Sequence, residues 1–237
     1  MRYLFPLLFL AGCATAPLSS EERIKFDHYG VVSLLGDRLP VQFVGTTIFQ
    51  NKEGGAEIPG WKIDARVQKD FQAALAGKKM ITLDIDPTVV EEMRASSDTI
   101  GKRLAGNIDK EWMDYVFGQA KKAGALYLFI ARPIRGHDNF PLYPPGFGLY
   151  CRSSFASAGD LHAYLLLSFS LWRVEDRKYL FGYGETPADA MELTGKPCAD
   201  FAKMNRQKVL AMGKPMIEKL LDRAIQRALV KSALLEK

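Results

Sequence analysis

Two aspartates one residue apart, Asp84 and Asp86, close an alternating stretch and are followed by Pro87 and Thr88. A carboxylate pair so placed can attack an electrophile, pass a proton and hold a divalent cation. The stretch Met80–Asp86 sets Ile81, Leu83 and Ile85 against Thr82, Asp84 and Asp86. It reads as a strand with one wet face, and open α/β folds work at the carboxyl ends of strands. The same residues have a structural reading, in which Asp86 caps a helix opened by Pro87 and Asp84 faces water. His28, His137 and His162 are scattered, with no two on one helix face, so no metal site is expected. There is no Gly-x-Ser-x-Gly elbow, and Gly182-Tyr183-Gly184 lacks the rest of a dinucleotide fingerprint. No cofactor is expected from these residues.

The run Asp84-Ile85-Asp86-Pro87-Thr88 resembles the first motif of haloacid-dehalogenase-type phosphatases. That resemblance implies a Mg²⁺-dependent phosphohydrolase in which Asp84 attacks phosphorus and Asp86 shuttles the proton. The chain departs from the family pattern in three ways. Residues 1–83 precede the motif, Pro87 fills a usually flexible position, and no later strand ends in a paired acidic motif.

A second chemistry sits at the amino terminus. Arg2 is followed by an apolar run, Leu4 to Leu10 around Pro6, which ends in Leu10-Ala11-Gly12-Cys13. A bilayer span needs about 20 apolar residues, so this run is an export leader rather than an anchor. Its ending resembles the bacterial lipobox. The resemblance implies that residues 1–12 are a signal peptide and that Cys13 becomes the acylated first residue, bearing palmitate-like chains. The competing reading is an ordinary cleaved leader with an incidental cysteine. Each buried methylene contributes about 0.8 kcal/mol, so several acyl chains hold a protein at a membrane. Ala14 stands where an aspartate would favour the inner membrane in that family. The outer membrane, periplasmic face, is therefore the implied address. In that oxidising space Cys151 and Cys198 are left as a pair, either bridged across about 47 residues or as two free thiols.

Hydrophobic content of 48% with 25% charged residues describes a folded chain. The net charge of +5 fits contact with anionic headgroups better than nucleic acid, given the tether, and is also common background. Residues 13–23, with Pro17 and Ser19-Ser20, read as the lipidated cysteine and a tether at most about 30 Å long.

The remainder, 24–237, reads as one domain. Tyr29–Leu35 and Leu39–Phe49, joined by Gly36-Asp37-Arg38, predict a β-hairpin. Asn51–Gly60 predicts a loop. Ile63, Val67, Phe71 and Leu75 predict an amphipathic helix, and Ile108, Trp112, Val116 and Ala120 another. Ala125–Ala131 predicts a strand covered on both faces. Leu161–Val174 and Lys178–Tyr183 predict an antiparallel pair. Gly184–Ala199 reads as irregular. Gly213 and Pro215 predict a break in the C-terminal helical region, after which Ile217, Leu220, Leu221, Ala224 and Ile225 face a core. Together these give an α/β (α+β) sandwich, a mixed five- or six-stranded sheet under about three helices. The element order resembles the α/β sandwich of envelope proteins such as the amino-terminal domain of TolB, CsgG and the LpoB-type lipoproteins. No functional residue is implied by that order.

Residues 132–159 are rich in Pro and Gly and carry Phe140, Tyr143, Phe147 and Tyr150. Rigid aromatic side chains on a proline-stiffened loop suit a contact surface for an envelope protein or glycan; a lid packed on the sheet is the other reading. The sequence thus favours a non-catalytic, membrane-tethered lipoprotein that binds, assembles or regulates. The phosphohydrolase is the alternative.

Overall fold

A computed structural model of the chain describes residues 16–45, 51–97, 107–134, 143–152, 159–187, 191–198 and 205–236. Its spine is one long strand, β6 (Asp160–Arg173), most of whose side chains are buried. The second half of β6 pairs with β4 (Tyr127–Pro133) and β7 (Lys178–Glu185), both antiparallel. The first half pairs with β5 (Gly146–Arg152) and β8 (Met191–Pro197), also antiparallel. Beyond β4 lies β1 (Tyr29–Ser33), and beyond β5 lies β2 (Arg38–Val44), each in parallel register. An outer strand, β3 (Lys52–Glu57), runs antiparallel to β2.

The sheet has eight strands and mixed direction, with five α-helices among the described residues. The expected five or six strands and three helices are therefore too few. The strands the sequence hides are β3, β5 and β8. Each is rich in glycine or polar residues, and the pairing they gain is invisible to a search for alternating apolar residues. The predicted β1–β2 hairpin does not form. Each of its arms pairs in parallel with a partner about a hundred residues away in the chain.

One face of the sheet is covered by α2 (Ile63–Ala74) and α5 (Arg206–Lys231). Ile63, Val67 and Phe71 on α2 meet Tyr29, Phe129 and Phe169 from the strands. On α5 the contact residues are Ile217, Leu220, Leu221, Ala224, Ile225 and Leu229. The opposite face of the β1–β4 half is covered by α3 (Pro87–Ser97) and α4 (Asn107–Ala123), through Met93, Trp112, Val116 and Phe117. Strand β4 is thus apolar on both sides: Tyr127, Phe129 and Ala131 face one core, Leu128 and Ile130 the other. Gly124, at φ 80°, ends α4 in the left-handed region that a side chain resists.

Three further expectations change. Met80–Asp86 keeps its alternating exposure but makes only a single bridge, Met80 to Tyr29. It touches the β1 edge at that one point, through Tyr29 N–H to the Lys79 carbonyl and Ile81 N–H to the Tyr29 carbonyl, with Leu83 over Gly30, where an added Cβ would come within 2.8 Å. The C-terminal helix runs unbroken through Pro215. Pro215 and Ala211, whose carbonyl loses its N–H partner, both lie on the exposed side, so solvent can satisfy that carbonyl. Residues 13–23 are not all tether. Leu18 is buried and its N–H donates to the Ser232 carbonyl (3.1 Å), and α1 (Ser20–Lys25) follows, capped by Ser19.

Candidate functional site

The Asp84–Asp86 pair is spent on local structure. The Asp86 carboxylate accepts from the Thr88 N–H at 2.8 Å, and the Asp86 N–H donates to the Tyr115 hydroxyl at 2.9 Å. This is N-capping of α3. Both aspartates are exposed. Among the described residues no three His, Cys, Asp or Glu gather as a metal would require. Cys151 and Cys198 form a disulfide, with Cα atoms 5.6 Å apart, at the end of the sheet where β6 begins. Cys13, Phe140 and His137 lie outside the described residues.

The other aromatic residues singled out above do not form a loop. Phe147 and Tyr150 belong to β5, a strand inside the sheet, and alternation sends them to opposite faces. Phe147 is 1% exposed in the helix-covered core, so it is withdrawn as a contact residue. Tyr150 faces the other way and is itself buried, in a small cluster with Val44, Tyr164 and Leu166 that Tyr143 and Ile134 complete, so it is not a contact residue either. The reading of 132–159 as one irregular loop fails because its Gly-Phe-Gly-Leu-Tyr-Cys run finds partners on both sides, β2 and β6.

Register places a row of side chains across this face. Gln42 is opposite Tyr150, Tyr150 opposite His162, and His162 opposite Leu193. In the adjacent row Gly148 is opposite Tyr164, and Tyr164 opposite Met191. Directly opposed residues share a face, so these groups form one surface. The Tyr143 and Tyr150 rings stack at 4.2 Å, and Tyr164 meets Tyr143 edge-on at 4.8 Å. Tyr164 lies over Gly148, where a Cβ would come within 2.7 Å of its hydroxyl. That hydroxyl donates to the Pro144 carbonyl at 3.0 Å.

His162 is held at both nitrogens. Nδ1 is 3.2 Å from the Asp160 carbonyl and Nε2 is 3.0 Å from the Tyr143 hydroxyl. A carbonyl only accepts, so Nδ1 carries the proton and Nε2 accepts from Tyr143. Burial holds the imidazole below its ordinary pKa, against a smaller opposing effect of its bond to Asp160. Burial likewise pushes Tyr143 up to about 12, raises Tyr150, and raises Tyr164 further. All four groups are neutral at physiological pH. Tyr150, His162 and Tyr164 are buried, so the cluster is a neutral packed support and Tyr143 is the member partly open to contact.

Beside it stand two apolar side chains in water, Leu193 at 63% exposure and Met191 at 42%. They lie on β8, which pairs only with β6 among the described residues. Sequence reasoning found Tyr143 and Tyr150 and missed His162, Tyr164, Met191 and Leu193. The signal was present in β6, where His162, Tyr164 and Leu166 recur at every second position.

Comparisons with known proteins give only weak structural similarity. No protein-family model matches the chain. No curated protein matches it. Among solved structures, protein XCC0632 from Xanthomonas campestris, given with the family model DUF330, is 9% identical with a TM-score of 0.43. The match covers 94% of this chain and 90% of that one. Lipoprotein GNA1162 from Neisseria meningitidis is 9% identical with a TM-score of 0.29, over 82% and 97% of the two chains. At that identity every residue role has to be argued from this chain itself.

Proposed function

We propose that the protein is a non-catalytic envelope lipoprotein, acylated at Cys13 and held at the periplasmic face of the outer membrane, that binds a protein partner. The partner contacts Leu193, Met191 and the half-buried Tyr143, which the buried Tyr150, His162 and Tyr164 hold in place from beneath. The observation that carries this reading is the exposure of Leu193 and Met191 beside a rigid aromatic cluster on an edge strand. Exposed aliphatic groups bordering fixed rings suit an apolar segment of another protein, and a strand edge offers backbone bonds to it. A glycan would instead call for more side-chain hydroxyls and amides at the rim.

Geometry supports the same arrangement. Arg173, bonded to Glu22 of α1 at 2.6 Å, marks the end of β6 near the tether. His162 marks the other end. At about 3.3 Å per residue the strand separates them by about 36 Å, enough to hold the aromatic surface clear of the headgroups. Confinement near a membrane raises the effective concentration of the binding surface, so a modest interface suffices.

The test is a photo-crosslinking residue in place of Leu193, with Tyr179, also exposed at 45%, as the control position. A discrete adduct from Leu193 that is absent from Tyr179, and is lost on Tyr143→Ala, supports the proposal. Identical adducts from both positions, or none from Leu193 in intact cells, would sink it. A Leu193 label protected instead by cell-wall fragments would replace the protein partner with a glycan.

A further inference from the structure

We propose that the end of the molecule opposite the aromatic surface is a membrane-docking face, with Ile24 and Leu126 dipping into the bilayer and a set of cations lying among anionic headgroups. This rests on the Cys13 tether proposed above and adds to it an orientation and a second contact with lipid.

The reach of the chain comes first. Leu18 is fixed to the body through Ser232, so only the residues between Cys13 and Leu18 separate acyl chains from folded protein. Fully extended, that stretch spans at most about 18 Å. Whatever surrounds Leu18 is held within that distance of the lipid.

What surrounds it is apolar at two points and basic around them. Ile24, on α1, is 82% exposed, the most exposed large hydrophobic residue among those described. Leu126 is 51% exposed, and its N–H donates to the His28 carbonyl, which places it at the same end of the sheet. Neither exposure has a packing reason, since the core beneath is filled by Phe26, Tyr29 and Tyr127. A shallow recess of about 200 Å³ lies beside α1, lined by residues that include Arg23, Phe26, Leu75, Lys78 and Leu235.

The charges complete the pattern. Glu21 is bound by Lys25, and Glu22 and Asp176 are both bound by Arg173, each at 2.6 Å. Among the described residues, Arg23, Lys78, Lys79, Lys121, Lys122 and Lys231 make no ion pair with a carboxylate, and all six are exposed. Against them at this end stand Asp27, Glu175 and Glu236. The balance is positive. Apolar residues ringed by lysine and arginine are the makeup of a surface that sits at an anionic interface, and a lipid tether brings that interface within reach.

The experiment uses the full acylated chain, reconstituted into vesicles of phosphatidylethanolamine and phosphatidylglycerol. Cys13 is acylated and the other two cysteines are bridged, so Ile24→Cys gives one reactive thiol for an environment-sensitive fluorophore. Because Ile24 is exposed, the fold tolerates the change. Leu193→Cys provides the distal comparison. Mass spectrometry of the amino-terminal peptide reports the acylation separately. Quenching by brominated acyl chains at Ile24 with none at Leu193, reduced at least about twofold by Lys78→Glu with Lys79→Glu and by high salt, supports the proposal. Acylated protein with no quenching at Ile24 overturns the docking face and leaves the tether standing. Quenching at both positions overturns the orientation. A peptide without acyl mass removes the tether and this proposal with it.

Discussion

Reducing the Cys151–Cys198 bond removes a covalent link across 47 positions of sequence. In the chain-entropy account, closing a loop of that size costs the unfolded chain about 14 cal/mol/K, or about 4 kcal/mol at about 298 K. Both cysteines are buried, at 0% and 1% exposure, and reduction deletes no heavy atom from the core. Comparing oxidised with reduced protein therefore isolates the link from any change of core volume, which alanine substitutions would confound by adding a cavity. The bond is inaccessible in the native state, so the reduced form has to be made by unfolding in urea with a thiol and then refolding. Equilibrium unfolding is followed by circular dichroism. At a slope of about 3 kcal/mol per M urea, the midpoint of the reduced form falls by about 1.3 M. Two curves that superimpose within about 0.3 M would refute the reasoning. They would mean that β5 and the segment after β8 stay together in the unfolded chain without the bond.

Gly148→Ala pushes a methyl against the Tyr164 hydroxyl and the Pro40 carbonyl, at 2.7 and 2.8 Å. It costs about 1–3 kcal/mol in urea unfolding, whereas Gly77→Ala, with nothing within 4 Å, changes little. His162 binds fewer protons folded than unfolded just below its ordinary pKa, because burial lowers its value. Stability from this group is therefore complete above about pH 6.5 and falls as pH drops toward the folded value; His162→Gln flattens that part of the profile of urea midpoint against pH. Glu185 is fully buried and held by Arg227 at 2.7 and 2.8 Å and by the Tyr183 hydroxyl at 2.6 Å. Arg227→Met strands that carboxylate and lowers thermal stability by about 3 kcal/mol. Lys219→Met, which breaks the exposed link to Glu192, costs less than about 1 kcal/mol in the same assay.

Helices and fully buried strands were legible in the sequence because their apolar spacing is unambiguous. Ile63, Val67 and Phe71 recur every four residues, and Leu128–Ala131 runs apolar without a break. Asp86-Pro87 announced a helix start, and Asp86 does cap α3. Pairing was not legible. Lys52–Glu57 contains Gly54-Gly55 and no bulky apolar residue, yet it forms β3 because β2 presents a free edge to it. Gly146 and Gly148 disguised β5 as a loop. Gly148 is small because Tyr164 lies across it, a requirement set by a strand that comes later in the chain. For the same reason the candidate surface was half found. Tyr143 and Tyr150 stood out in a proline-rich segment, while His162, Tyr164 and Leu193 join them only through the register of β5, β6 and β8.

The proposed tether at Cys13 underlies the proposed compartment and the orientation of the proposed surfaces, so its chemistry is the measurement to make. The protein is recovered from its host membranes and its amino-terminal peptide is analysed by mass spectrometry. The expected result is a mature chain whose first residue is Cys13, carrying a thioether-linked diacylglycerol. A chain that begins at any other residue, or a Cys13 with a free thiol, would contradict it.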